Sequence, residues 1–261
     1  MGMRRRSGDH RRGHARMDNA QLISLSRQIA LQRQMDVVAN NMANINTTGF
    51  KSENMLFEDY LMPGASDNAF AGLDQDLHYT EDWSTIHDMS TGSIEQTGSP
   101  LDVALSGSGF LTVQTPAGPR YTRNGSLQLD PSGTLVDLNG NPVLGESGPI
   151  QFDAADTDIT IGANGAISTS QGSKGKLAVV EFAEPQALAR EGNNYYSGPA
   201  GAPATDTRVV QGAIERSNVS GVAAMSDMIR VERAYQMLAN VMQQQDDLKT
   251  TAIAKLGDMT A

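Results

Sequence analysis

The apolar residues at both ends of this chain repeat in alternating steps of three and four, a period that suits a long helix and little else. Near the N-terminus Leu31, Met35, Val38, Met42 and Ile45 follow it, and Leu22, Leu25 and Ile29 form an earlier stripe on a shifted face. Neither Pro nor Gly interrupts the stretch between Met17 and Gly49. The pattern predicts one helix from Asp18 to about Ile45, capped by Asp18 or Asn19 and roughly 40 Å long. Near the C-terminus Val222, Met225, Met228, Val231, Tyr235, Leu238 and Met242 repeat the spacing, Gln245 continues the face, and Ile253 and Leu256 lie near its end. Ser217, Asn218 or Ser220 can cap this second helix and Gly257 can stop it, giving a length of roughly 55 Å. Terminal helices with matching stripes can pair as a coiled coil, within one subunit and against neighbours. Packing of each helix on a central domain is the competing arrangement. The methionines on the stripes suit surfaces that repack between environments.

Between the helices the texture changes. Residues 53–97 read as an extended connecting segment: Pro63-Gly64 opens a turn, and Ser66 to Asp82 has few apolar anchors and several acids. From about Gly98 short alternating runs appear, among them Leu101–Leu105, Phe110–Val113, Leu127–Leu129, Ile159–Ile161 and Leu177–Phe182. Turn signals such as Asn124-Gly125, Pro131-Ser132-Gly133, Asn139-Gly140 and Asn164-Gly165 divide them. Short strands at this spacing predict an antiparallel sandwich or barrel-like domain over 98–216. The fold class is therefore mixed α and β. Long N- and C-terminal helices (17–52 and 217–261) pair as a coiled coil and flank a central, mostly antiparallel β domain.

Where the first helix should end, the sequence turns polar: Asn40, Asn41, Asn44, Asn46, Thr47 and Thr48 precede Gly49, Phe50 and Lys51. Asn and Thr compete for backbone hydrogen bonds and disfavour a helix interior. Gly49 can take a left-handed cap conformation, and Phe50 supplies the apolar group that often follows it. A frayed, solvated helix end is the bland reading of these amides. Amides beside an apolar seam can also fix register between packed helices, with Asn40 and Asn44 on one face and Asn41 on the next.

Several functions are disfavoured by composition. The chain has 261 residues and no cysteine, which removes disulfides and thiolate metal sites. Its net charge is −10, from 20 basic and 30 acidic residues. Six of the arginines and one acid fall within residues 1–16, leaving 14 basic and 29 acidic residues beyond, net −15. That body argues against nucleic acid or an anionic membrane as a partner. No apolar run reaches the roughly 18 residues that span a bilayer, so membrane insertion is not expected. Residues 1–16 read as a disordered basic extension ahead of a start at Met17, since no hydrophobic segment follows them to make a signal peptide. Gly107-Ser108-Gly109 lacks the flanking glycine spacing of a nucleophile elbow, and Gly172 to Lys176 lacks the phosphate-loop spacing. His78 and His87 have no third ligand in sight. No catalytic, metal or cofactor site is expected, and no cofactor.

The ordered string Ala39-Asn40-Asn41-Met42-Ala43-Asn44, followed by Thr47-Thr48-Gly49-Phe50-Lys51, resembles the signature of the flagellar basal-body rod, hook and hook-associated family. Gly98–Leu105, Gly109–Val113, Tyr121–Gly125, Gly140–Gly145 and the end segment from Ser217 through Tyr235 are similar to further family patterns. The resemblance covers nearly the whole chain after Met17. It implies a non-enzymatic structural subunit of the proximal rod. Such a subunit is exported unfolded by the flagellar type III apparatus without a cleaved signal peptide. It assembles with itself and other rod subunits in the basal body, across the periplasm. Phe57 and Leu61 match the Phe-x-x-x-apolar element with which family members engage the export gate. The alternatives are a distal-rod or hook-type subunit or, from another class, a secreted adhesin or wall-binding β module.

Overall fold

A computed structural model describes the backbone of residues 9–62 and 77–258, and the side chains of residues 23–56 and 85–255. The described chain forms two compact units: one of residues up to 40, 54–86 and from 222 onward, and one of residues 41–53 and 87–221.

The first unit holds the long helices. The N-terminal helix, α1, runs Asp9–Ala43 over 35 residues, so it begins well before the expected cap at Asp18 and takes in the second half of the stretch expected to be disordered. Extending an existing helix carries no nucleation cost, and Arg11, Arg12, Ala15 and Arg16 are good helix formers. The C-terminal helix, α2, runs Gly221–Asp258 over 38 residues. It starts after Ser217–Ser220, and Gly257 lies inside it rather than stopping it. Along α2 the shielded positions Ala224, Met228, Val231, Tyr235, Leu238 and Met242 keep the three-four step. Val222 and Met225, expected on this face, are instead exposed, at 82% and 56%. Counting back from Met228 by four reaches Ala224, which turns Met225 away from the shielded side. On α1 Ala30 and Val38 are buried, Leu31, Met35, Met42 and Ile45 are half-buried, and Leu25 and Ile29 are exposed. The Gln28 amide donates to the Tyr235 hydroxyl at 2.9 Å, joining the two helices.

The connecting segment differs from expectation. Strands Glu53–Met62 and Leu77–His87 pair as a two-stranded ribbon rather than running as a linker. The turn expected at Pro63-Gly64 and the stretch 66–76 lie outside the described residues, as do residues 1–8 and the side chains of Leu22, His78, Trp83 and Leu256.

The second unit is the antiparallel β domain. It is wider than 98–216, because strand Ile94–Gln96 already pairs with Ala213–Glu215. A six-stranded sheet runs in the order Ala189–Glu191, Tyr195–Ser197, Gly118–Thr122, Phe110–Thr115, Val179–Glu181 and Ala202–Pro203. Smaller sheets join Val103–Ser106 to Arg208–Gln211 and Leu127–Leu129 to Leu135–Asp137. The core gathers Leu105, Leu111, Val113, Leu135 and Ile167 from the strands, with Val143 and Leu177 from single β-bridges. Two of the hairpin turns share one geometry. In 130–134 and 137–141 the leading Asp Oδ1 accepts two backbone N–H groups, from Ser132 and Thr134 and from Asn139 and Asn141. Gly133 and Gly140 supply the left-handed residue, at φ 81° and 82°. Asn139-Gly140 thus lies within a three-residue loop closed by a left-handed glycine, not a two-residue turn.

Candidate functional site

The polar string at the end of α1 folds into a tight corner within the β unit. Successive short-range bonds turn the chain: Asn44 N donates to Asn41 O, Thr47 N to Asn44 O, and Phe50 N to Thr47 O, at 3.1–3.3 Å. Thr47 Oγ1 adds a bond to Asn44 Oδ1 at 3.0 Å. Gly49 sits at φ 67°, and a Cβ there would stand 2.3 Å from the Arg123 carbonyl carbon, so only glycine fits.

Asn41 is bonded to the chain just past the corner. Its amide brackets the backbone of residue 53, with Nδ2 donating to Glu53 O at 2.7 Å and Glu53 N donating to Oδ1 at 2.9 Å. The buried end of α1 is thereby tied to the first residue of the ribbon. Asn40 is exposed and Asn44 half-buried. Asn46 Oδ1 accepts from Arg216 Nη2 at 3.2 Å. The Phe57 and Leu61 backbones lie on strand Glu53–Met62, and their side chains are outside the described residues.

The corner is also where the chain returns before α2. Gly49 N donates to Glu215 O at 2.7 Å, and Asn218 N to Phe50 O at 3.3 Å. Asn218 Oδ1 accepts from Ser52 N at 2.7 Å, and its Nδ2 donates to Asp88 O at 2.8 Å. Gly221, the first residue of α2, lies so close to Ile45 that an added Cβ would stand 2.5 Å from Ile45 Cδ1. The roots of both terminal helices are thus held side by side.

At the centre of the corner is a buried ionic triad. Lys51, Arg123 and Glu215 are each no more than 2% exposed. Lys51 Nζ contacts Glu215 Oε1 at 2.5 Å and Ser90 O at 2.6 Å. Arg123 Nη1 donates to Glu215 Oε2 at 3.2 Å and Nη2 to Gly107 O at 2.8 Å. Gly92 N gives Oε1 a further donor at 2.9 Å. The Arg123 guanidinium lies 4.9 Å from the Phe110 ring centroid. Burial pushes the Lys51 ammonium down from its usual range, and the Glu215 carboxylate pulls it back up.

A second charged group lies beside it. Arg190 Nη1 donates to Glu53 Oε1 at 2.6 Å, and its guanidinium stacks 4.1 Å from the centroid of buried Phe50. His87 Nδ1 is 3.7 Å from the same Oε1, buried and without a hydrogen-bond partner. The Gln186 amide brackets the His87 backbone, Nε2 donating to O at 2.6 Å and Oε1 accepting from N at 3.2 Å. Desolvation lowers the His87 pKa; Glu53 opposes that and Arg190 reinforces it. Burial raises the neighbouring Tyr196 phenol to about 12.

Lys51, Arg123 and Asn218 lie in the stretches that resemble the family, and His87 was weighed only as a metal ligand, yet the role these residues and Glu215 play at the corner was not legible in the sequence. One signal was present for Glu215: it shares a strand face with fully buried Ala213. These groups clamp backbone segments and fix directions. Among the described residues no three His, Asp or Glu side chains stand close enough to hold a metal ion. No helix among them is long and apolar enough to cross a membrane.

Family models match all three regions of the chain: "Flagella basal body rod protein" over residues 22–51, "Flagellar hook protein FlgE/F/G D1 domain" over 104–169, and "Flagellar basal body rod FlgEFG protein C-terminal" over 210–255. The corner lies across the end of the first and the start of the last. The chain is 34% identical to the flagellar basal-body rod protein FlgF of Caulobacter vibrioides over 246 residues, covering 92% of this chain and 99% of that one. It is 34% identical to FlgF of Escherichia coli, covering 88% of this chain and 95% of that one. It is 30% identical to the rod protein FlgG of Bacillus subtilis, covering 83% and 91%. The chain belongs to the FlgE/F/G family of flagellar basal-body rod and hook proteins.

Proposed function

We propose that this chain is a proximal-rod subunit of the flagellar basal body. It passes unfolded through the type III export apparatus, without a cleaved signal peptide, and self-assembles through its terminal helices into the hollow shaft that carries motor torque to the hook. Leu31, Met35, Val38, Met42 and Ile45 of α1 pair as a coiled coil with Met228, Val231, Tyr235, Leu238 and Met242 of α2. Met225 joins the contacts made with neighbouring subunits. Asn40, Asn41, Asn44, Thr47, Gly49 and Phe50 form the corner from which the β domain departs. Phe57 and Leu61 engage the export gate. Partners are further copies of the chain and the rod subunits FlgB, FlgC and FlgG. The work is done by shape and assembly, with no cofactor and no catalysis.

One observation carries this reading. Val222, Met225, Ile229, Met237, Val241 and Leu248 form a second apolar stripe on α2, about half a turn away from the shielded one. A helix with apolar residues on two opposite faces is built to be enclosed by neighbours. Pairing with α1 covers one face, and adjacent subunits in a tube cover the other. The distal rod is the second reading, favoured by the match to FlgG; the FlgF relatives match a larger share of the chain. The assembly role is tested by deleting residues 18–45 or 219–256. Each deletion is expected to abolish rod incorporation, while circular dichroism still reports a folded β domain. Incorporation of either truncated chain would overturn the role given to the helices.

A further inference from the structure

We propose that the Lys51–Glu215–Arg123 triad is a register device for assembly, in which Glu215 is the positioning residue that holds the roots of the two terminal helices in one fixed pairing. The inference rests on the rod reading given above.

Two buried cations share one carboxylate, so the triad leaves an excess positive charge inside the β unit. Buried ion groups of this kind are poor sources of stability, and well-packed apolar residues often serve as well or better. What an apolar cluster cannot do is demand one alignment. Glu215 has donors from three separated segments, at Lys51, Gly92 and Arg123, each aimed at a particular oxygen. It closes the strand Ala213–Glu215 that leads into α2, and its own carbonyl accepts from Gly49, just past the end of α1.

A slip of one residue in that strand would turn Glu215 to the other face. Lys51 and Arg123 would then be buried without their anion, a heavy penalty on the slipped state. The slip would matter beyond the β unit. Advancing the root of α2 by one residue rotates its face by about 100°, enough to carry the three-four stripe away from its partner. The triad thus penalises a slip that would misalign the seam, whatever it adds to stability.

The test uses the full chain, expressed in cells that lack their own copy. In the triple variant Lys51→Met, Arg123→Met, Glu215→Met, the unfolding midpoint and far-ultraviolet circular dichroism are expected to stay near wild type. Incorporation into isolated rods, per folded subunit, is expected to fall by about tenfold or more. Arg123→Lys keeps all three charges but gives up the guanidinium's two-pronged hold on Glu215 and Gly107, so its incorporation is expected to fall less than that of the triple variant. Normal incorporation of the triple variant would overturn the inference. So would failure of that variant to fold, which would make the triad a stability element. A loss in Arg123→Lys as deep as in the triple variant would also count against a role for the charge pattern. Absence of the wild-type chain from the rods would overturn the rod reading instead.

Discussion

Gly49 shows at the level of one residue how tightly the corner is built. Its φ of 67° is costly for any residue with a Cβ, and that Cβ would meet the Arg123 carbonyl, a backbone group that cannot swing aside. Gly49→Ala is therefore expected to cost about 2 kcal/mol or more, read as a lower urea midpoint for the β unit. An unchanged midpoint would mean that the corner relaxes freely. His87 gives the same corner a pH dependence. Its ring is buried beside Glu53, Arg190 and Tyr196, and burial lowers its pKa below 6.5. Unfolded, the imidazole takes up its proton near 6.5; folded, it does so only at lower pH. Between those values the unfolded state binds more protons, so stability is full above about 6.5 and is lost as the pH falls. The urea midpoint is expected to drop between about pH 7.5 and pH 5.5, and His87→Gln should flatten that drop. An equal drop in both proteins would place the titration elsewhere.

At the scale of elements, α1 and α2 were legible because a three-four period admits few alternatives. Most strands were legible because alternation and turn residues agreed. The residues past Ser66 concealed a ribbon, since strands Glu53–Met62 and Leu77–His87 owe their pairing to each other rather than to a strong local pattern. The corner was half legible. Gly49 and the amides announced a helix end, but Lys51 meets Glu215 across 164 positions, and no local pattern reports a contact of that range. The two-sided character of α2 also emerged only once exposure separated Met225 from Met228. That separation carries its own expectation. Met237→Ser with Val241→Ser lies on the open stripe, so helicity and midpoint should stay at wild-type values while incorporation into rods falls by about tenfold or more. Loss of helicity instead would show that this face already packs within the subunit.

At the scale of the whole molecule, the β unit clamps the segment that follows α1 to the segment that precedes α2, and the two helices themselves run 35 and 38 residues. In the rod reading proposed above, holding the roots of two long helices side by side suits a subunit whose ends polymerise. Asn41, Asn218 and the Lys51–Glu215 pair of the triad hold the corner with bonds of 2.5–2.7 Å.

The most direct test is to locate the subunit along isolated basal bodies, by labelling an exposed β-domain position such as Asn164 and imaging the rods. A proximal-rod subunit is expected to place the label at the motor end of the rod. Label along the distal rod or in the hook, or none in the rod at all, would contradict it.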